Sequence, residues 1–272
     1  LLQSILLSPS LISAANLANS HAMHRFYIEP GQSGAQLIEL SEREAHHAAH
    51  VLRLKPQERV VALDGRGSEL SCHVEEIGKN RVTLRVYQRT SVPPLPYRLT
   101  LVQAIPKGKT METIVQKATE LGAWRVVPIL ADRTVAHIDK ENTETKVEKW
   151  NWIAIDSIKQ CGSAWTPHIS DPITPAQYLA NPEKSELTLI ATLQPDARHP
   201  RAFLRDFAEE KGRAPKSITV WVGPEGDFTP AEINAIRGAG ALPITLGQLI
   251  LRSETAAFYC LSVLNYELQA PA

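Results

Sequence analysis

Net charge is the first thing this chain lacks: 29 Lys and Arg balance 29 Asp and Glu. No global positive field advertises a nucleic-acid partner. Cysteine is scarce, and Cys72, Cys161 and Cys260 are far apart and odd in number. That excludes a disulfide framework and a paired-Cys zinc site, and makes a reducing cytoplasm the simplest location. No stretch reaches the roughly 18 uninterrupted apolar residues of a membrane span, so no membrane partner is expected. Internal repeats and low-complexity tracts are also missing.

What is present is enough apolar sequence for a sizeable core: 43% of the 272 residues are hydrophobic and 21% charged. At roughly 150 residues per domain, that length suggests about two domains. The charges are unevenly placed. Residues 1–22 carry none, 23–90 carry ten basic and nine acidic, 91–150 nine and seven, and 151–272 ten and thirteen. The uncharged opening lacks the basic start of a secretory signal, and Ser8-Pro9-Ser10 interrupts its apolar run. It reads as an extension ahead of a native start at Met23.

From Met23 to Thr90 the pattern is of short strands, at Arg25–Glu29, Gln36–Glu39, Arg59–Leu63, Glu69–Glu75 and Arg81–Gln88. A helix capped by Ser41, with Glu44 three residues on, interrupts them and runs to about Arg53. So many strands in so few residues suggest a small β-barrel over 23–90. Ser91-Val92-Pro93-Pro94-Leu95-Pro96 then marks a boundary, because three of its six residues lack a backbone N–H.

Beyond it, over 91–272, strands alternate with helices, the signature of an α/β domain with a mostly parallel sheet. Strands are expected at Arg98–Ile105, Val126–Leu130, Leu187–Leu193, Ile218–Val222 and Ile244–Leu246. Helices are expected at Lys109–Leu121, Thr145–Gly162, Pro200–Glu210, Thr229–Gly238 and Ser253–Leu268. The last is apolar nearly all round, so burial on most sides is expected.

Gly108-Lys109-Thr110 sits where a P-loop would, but Gln103 occupies the position of its first glycine, which argues against phosphate wrapping. Gly65-Arg66-Gly67 precedes a strand and reads as a hairpin turn. His46 and His50 share a helical face without an obvious third ligand, so surface or substrate-facing roles are favoured over a metal site. Cys161 reads as a small core residue. Two late turns are more informative: Gly223-Pro224-Glu225-Gly226 and Leu246-Gly247-Gln248-Leu249-Ile250-Leu251-Arg252 each follow a strand and lead into a helix. Ligands of open α/β sheets bind at that edge, although both could be ordinary turns.

Pro106-Lys107-Gly108-Lys109, Met111-Glu112, Gln116–Gly122, Gly223–Gly226, Leu246-Gly247, Ile250–Arg252 and Glu254–Ala256 together resemble the small-subunit (16S) ribosomal RNA uridine-N3 methyltransferases of the SPOUT superfamily. Met23–Ile28 and His46–Lys55 resemble that family's amino-terminal domain, and the likeness spans residues 23–269. It implies a PUA-like small β-barrel followed by a trefoil-knotted α/β domain, S-adenosylmethionine (SAM) as cofactor, and a homodimer. The implied substrate is N3 of a uridine in 16S rRNA of the small ribosomal subunit, the decoding-region uridine 1498 by rRNA convention. By position, Leu193, Gly223, Gly226, Leu246, Gly247, Ile250 and Leu251 would contact SAM. No metal is implied.

Uracil N3 is not a nucleophile while protonated, so nearby cations must favour its anion. Arg252 and Lys107 are the expected cations, with Glu254 or Glu225 orienting them or accepting the proton. The alternative is that Arg252 and Glu254 form a structural pair. Arg25, Arg53, Lys55, Arg66 and Arg85 are candidate RNA phosphate contacts. Three departures stand out: Gln160-Cys161-Gly162-Ser163 replaces a Gln-Ser-x-Arg pattern and loses its Arg, Asp227 replaces a common Gly, and Ser253 replaces the usual Thr or Val. The missing Arg motivates a different reading, a non-catalytic RNA-binding or assembly module; a related enzyme acting on another RNA is a third.

Overall fold

The computed structural model describes residues 23–79, 81–134 and 140–269, so the extension expected at 1–22 lies outside the described residues. The chain divides into two compact units between Val92 and Pro93.

The first unit contains β1 (His24–Tyr27), β2 (Leu37–Glu39), β3 (Arg59–Leu63), β4 (Ser68–Ile77) and β5 (Val82–Ser91). They form one sheet in the order β1-β3-β4-β5-β2, with β1 parallel to β3 and the remaining pairs antiparallel. No ladder joins β1 to β2 among the described residues. Alternation along β4 sends Leu70, Cys72 and Val74 inward, where they meet Phe26, Ile38, Val60 and Leu84. The β3–β4 turn closes because Asp64 Oδ1 accepts from the backbone N–H groups of Arg66 (2.8 Å) and Ser68 (2.9 Å). The expected hairpin at Gly65-Arg66-Gly67 is therefore present.

Ser41 caps α1 (Glu42–His46), its hydroxyl accepting from the Glu44 N–H at 3.4 Å. The helix then widens into a π-helical turn over His47–Val51 and ends before Arg53, whose φ of 55° reverses the chain.

The second unit comprises β6 (Arg98–Ala104), α2 (Thr110–Glu120), β7 (Arg125–Ile129), α3 (Lys140–Cys161), β8 (His168–Ile169), α4 (Pro175–Ala180), β9 (Leu187–Ala191), α5 (Pro200–Lys211), β10 (Ser217–Val222), α6 (Pro230–Gly238), β11 (Leu242–Ile244) and α7 (Ser253–Gln269). All six strands are parallel, in the order β11-β9-β10-β6-β7-β8. Both faces are covered, which is why the strands read as near-continuous apolar runs. Leu99, Leu101, Ile218 and Val220 face the core under α2, α3, α5 and α7. Val102, Ile190 and Trp221 face the core under α4 and α6, beside Tyr178, Phe228 and Ile233.

Several expectations need correction. β11 falls two residues early, because Leu246 turns away with the following loop; Pro243 is tolerated since β11 is an edge strand. Nor is α7 buried on most sides: Ala257, Cys260, Leu261 and Leu264 are buried, whereas Tyr259 and Tyr266 are exposed. Its apolar composition hid a stripe at helical spacing. Cys161 is exposed at the end of α3, while Cys72 and Cys260 are buried and burial pushes each thiol up to about 12. Both β8 and α4 went unanticipated, although Thr174-Pro175-Ala176-Gln177 spells the capping box that opens α4.

Candidate functional site

Three neighbouring parallel strands, β11, β9 and β10, end at the same edge of the sheet, and their following loops enclose an open cleft of about 100 Å³. This is the edge at which open α/β sheets bind ligands. One wall is Ala191-Thr192-Leu193, a second runs from Val222 to Glu225, and the third from Thr245 to Leu251 with the start of α7. Gly247 has φ 113°, a conformation open in practice only to glycine, and it lets this third loop fold back. A Cβ on Gly223 would lie 3.1 Å from Asp227 Oδ1 and 3.3 Å from the Phe228 nitrogen, so the second loop is compact for a packing reason.

The loops are tied together at the base. Ser253 Oγ donates to the Gly223 carbonyl at 2.7 Å and accepts from Gln103 Nε2 at 2.9 Å. Both Ser253 and Gln103 are buried, so one short network links β6, the β10 loop and α7. Gln103, which spoils the P-loop pattern, is thus a brace. Glu225 Oε1 accepts from the Lys107 N–H at 3.1 Å and joins the β6–α2 loop to the same turn.

Of the expected cofactor contacts, Leu193, Gly223, Leu246, Gly247, Ile250 and Leu251 line the cleft. Gly226 does not; its carbonyl accepts from Arg133 Nη1 at 2.6 Å. Arg133 follows β7 and carried no motif of its own, so sequence reasoning passed it over. Thr192 was also missed: it lines the cleft, is buried, and its hydroxyl has no hydrogen-bond partner among the described residues.

Among the four expected reacting residues, Glu225 lines the cleft and meets the backbone of Lys107, whose side chain is exposed. Arg252 is exposed and forms no ion pair with Glu254; each is without an ion-pair partner among the described residues. The structural-pair alternative for these two residues therefore fails. Asp227 has φ 59°, the left-handed region that asparagine and aspartate tolerate, which explains why a glycine also suits this position. Burial raises its carboxyl pKa, against the lowering effects of the Phe228 N–H and Arg133. Ser163, where an Arg was expected, closes a local turn by donating to the Trp165 carbonyl and accepting from its N–H.

In the first unit, Arg53, Lys55 and Arg66 are exposed and Arg25 is half-buried. Arg85 is committed elsewhere: its guanidinium donates to both carboxylate oxygens of Glu75 at 2.7 and 2.8 Å, holding that carboxyl below its usual range. Its place among the phosphate contacts is thereby weakened.

Comparisons with known proteins follow the same division. Residues 93–265 match the model of an RNA methyltransferase domain, and residues 40–87 that of an RNA methyltransferase PUA domain. A ribosomal RNA small subunit methyltransferase E from Mycobacterium bovis is 30% identical over 240 residues, covering 88% of this chain and 90% of the relative. A Legionella pneumophila methyltransferase solved with the cofactor SAM is 32% identical, with TM-score 0.82, covering 90% of this chain and 98% of the other. A ribosomal RNA small subunit methyltransferase E from Neisseria gonorrhoeae, bound to S-adenosyl methionine, is 26% identical with TM-score 0.78 and the same coverage.

Proposed function

Because this chain belongs to the RNA methyltransferase family, with that family's PUA domain ahead of its methyltransferase domain, we propose that it methylates N3 of one uridine in 16S rRNA, using SAM. The decoding-region uridine 1498 is the expected target, on an assembled small subunit in the cytoplasm. The observation that carries this reading is the cleft at the ends of β9, β10 and β11. Its lining is largely apolar with a few convergent polar groups, the make-up of a small-molecule site. Leu246, Ile250 and Leu251 offer an apolar wall for an adenine, the backbones at Leu193, Gly223 and Gly247 offer polar groups, and the Thr192 hydroxyl, unpaired among the described residues, supplies one more.

SAM supplies an activated methyl group on its sulfonium. The protein's own work is to make uracil N3 nucleophilic and hold it in line. Lys107 and Arg252 stabilise negative charge on the uracil oxygens as the N3 proton leaves. Glu225 sets the Lys107 loop through its backbone contact. Glu254, in the first turn of α7, accepts the proton. The target base must be splayed from its stack to reach the cleft.

A trefoil knot is part of the proposal. It is supported by the path of the chain: β11 lies at the sheet edge beyond β9, yet α7, which follows it, packs on β6, β10 and α2. A homodimer is supported by exposed Leu193, Leu249 and Ile250 around the cleft, apolar surface of the kind that marks an interface. The balanced charge favours an assembled particle, because a protein with little global field binds bare RNA weakly.

The test is transfer of labelled methyl from SAM to purified small subunits and to naked rRNA, with the product mapped by mass. One N3-methyluridine at the expected position, formed faster on subunits, supports the reading. No transfer to either substrate, or a product elsewhere, overturns it; equal rates on both remove the particle requirement.

A further inference from the structure

A second cleft, of about 360 Å³, lies in the first unit and is lined by Glu42, Arg43, His46, His50 and Lys79. Four of its five lining side chains are hydrogen-bond donors that are cationic or can become so, and Glu42 is its one carboxylate. Its geometry follows from the helix. Arg43, His46 and His50, three and four residues apart, share one face of α1 and its π-helical extension. The Leu52 N–H bonds to the His47 carbonyl at 2.9 Å, five residues back, which widens the last turn. The His46 and His50 rings lie 4.8 Å apart at 42°. Such π-helical turns are frequent at functional sites. Lys79 comes from the β4–β5 turn and faces this helix across the cleft.

The surrounding basic residues are not equivalent. Arg81 pairs with Glu39 at 2.9 Å and Arg85 with Glu75 at 2.7 Å, so their charge is compensated on the protein. Lys79, His46 and His50 have no carboxylate partner among the described residues. Uncompensated donors around an open cavity attract an anion, and the cavity is too large for a lone phosphate group to fill.

We propose that this cleft binds a nucleotide of the substrate RNA, its phosphodiester held by Lys79 and imidazole N–H donors and its base stacked on the exposed imidazole pair. Stacking of an unpaired base on a histidine or aromatic ring beside a cationic contact is the general mode of single-strand recognition. The site differs from every phosphate contact expected above, and it rests on the reading that RNA is the substrate.

The test uses the full-length protein, a labelled 16S rRNA fragment and purified small subunits. Lys79→Gln and the double variant His46→Gln/His50→Gln are compared with wild type by fluorescence anisotropy across salt concentrations, with SAM binding followed by calorimetry. The expected result is a dissociation constant for RNA raised roughly tenfold, with the salt slope reduced by about one for Lys79→Gln, and unchanged SAM binding. Wild-type RNA affinity and slope in both variants, with SAM binding intact, overturn the site but leave the methyltransferase reading standing. Weakened binding to subunits alone, with naked RNA unaffected, also overturns it by moving the contact to a ribosomal protein. A wild-type protein that binds SAM but neither RNA nor subunits overturns the RNA reading itself.

Discussion

The Ser253 hydroxyl donates to the Gly223 carbonyl at 2.7 Å, across 30 residues of sequence. With Gln103 donating to the same hydroxyl, this contact holds the β10 loop against the start of α7, at the base of the cleft that the loops after β9, β10 and β11 enclose. It also anchors the residue that follows Arg252 in sequence.

Ser253→Ala removes both bonds and leaves a buried amide donor short of a partner, at a cost of about 1–3 kcal/mol. Urea unfolding should show that loss, and KM for SAM should rise more than kcat falls. Ser253→Thr, which keeps the hydroxyl, should restore both. Unchanged KM in the alanine variant would mean the bond is structural only.

Gly247→Ala forces a side chain into a conformation at φ 113°, a strain of about 1–3 kcal/mol. The loop should relax away from the cleft. SAM affinity measured by calorimetry should drop while circular dichroism stays as in wild type; retained affinity would show that the loop bend is not needed for binding.

Arg252 is exposed and unpaired among the described residues, so Arg252→Ala should change stability by no more than about 0.5 kcal/mol. If it stabilises the uracil anion, methyl transfer should fall by about 100-fold or more, with SAM binding intact. Near-normal turnover would end its catalytic role.

Asp227 gives a pH signature. Burial raises its folded carboxyl pKa above the ordinary 3.8. The folded state then holds the proton more tightly than the unfolded chain, so the stabilisation is complete below that value and is lost as pH rises through the raised one. Asp227→Asn tolerates the same backbone and can still accept from Phe228. It should therefore gain stability relative to wild type, in urea melts, as pH rises from the ordinary 3.8 through the raised value. A pH-independent difference would mean that the carboxyl does not titrate in this window.

Much of the architecture was legible because its causes are local. Thr229-Pro230-Ala231-Glu232 specifies where α6 starts, and the structure shows the full reciprocal cap. The strands at 98–104 and 217–222 announced themselves as apolar runs because helices cover both their faces. The misses have the opposite character. β8 spans only His168–Ile169 and is held by pairing with β7, which no two-residue pattern encodes. The exposed stripe of α7 was hidden because alanine, cysteine and tyrosine score as apolar on whichever side they fall.

By itself, the sequence determined the order of the longer strands and helices and the glycines that the cleft loops need. Propensity, capping and periodicity act over a few residues and are readable in order. Only the tertiary structure decided that Gln103, Gly223 and Ser253 meet, that Gly226 faces Arg133 rather than the cleft, that Arg252 and Glu254 do not pair, and that His46, His50 and Lys79 share a second cleft. Those relations depend on the order in which parallel strands assemble, with β11 and β10 on either side of β9. That order is set by burying both faces of the sheet at once, a condition on the whole unit that no local segment carries.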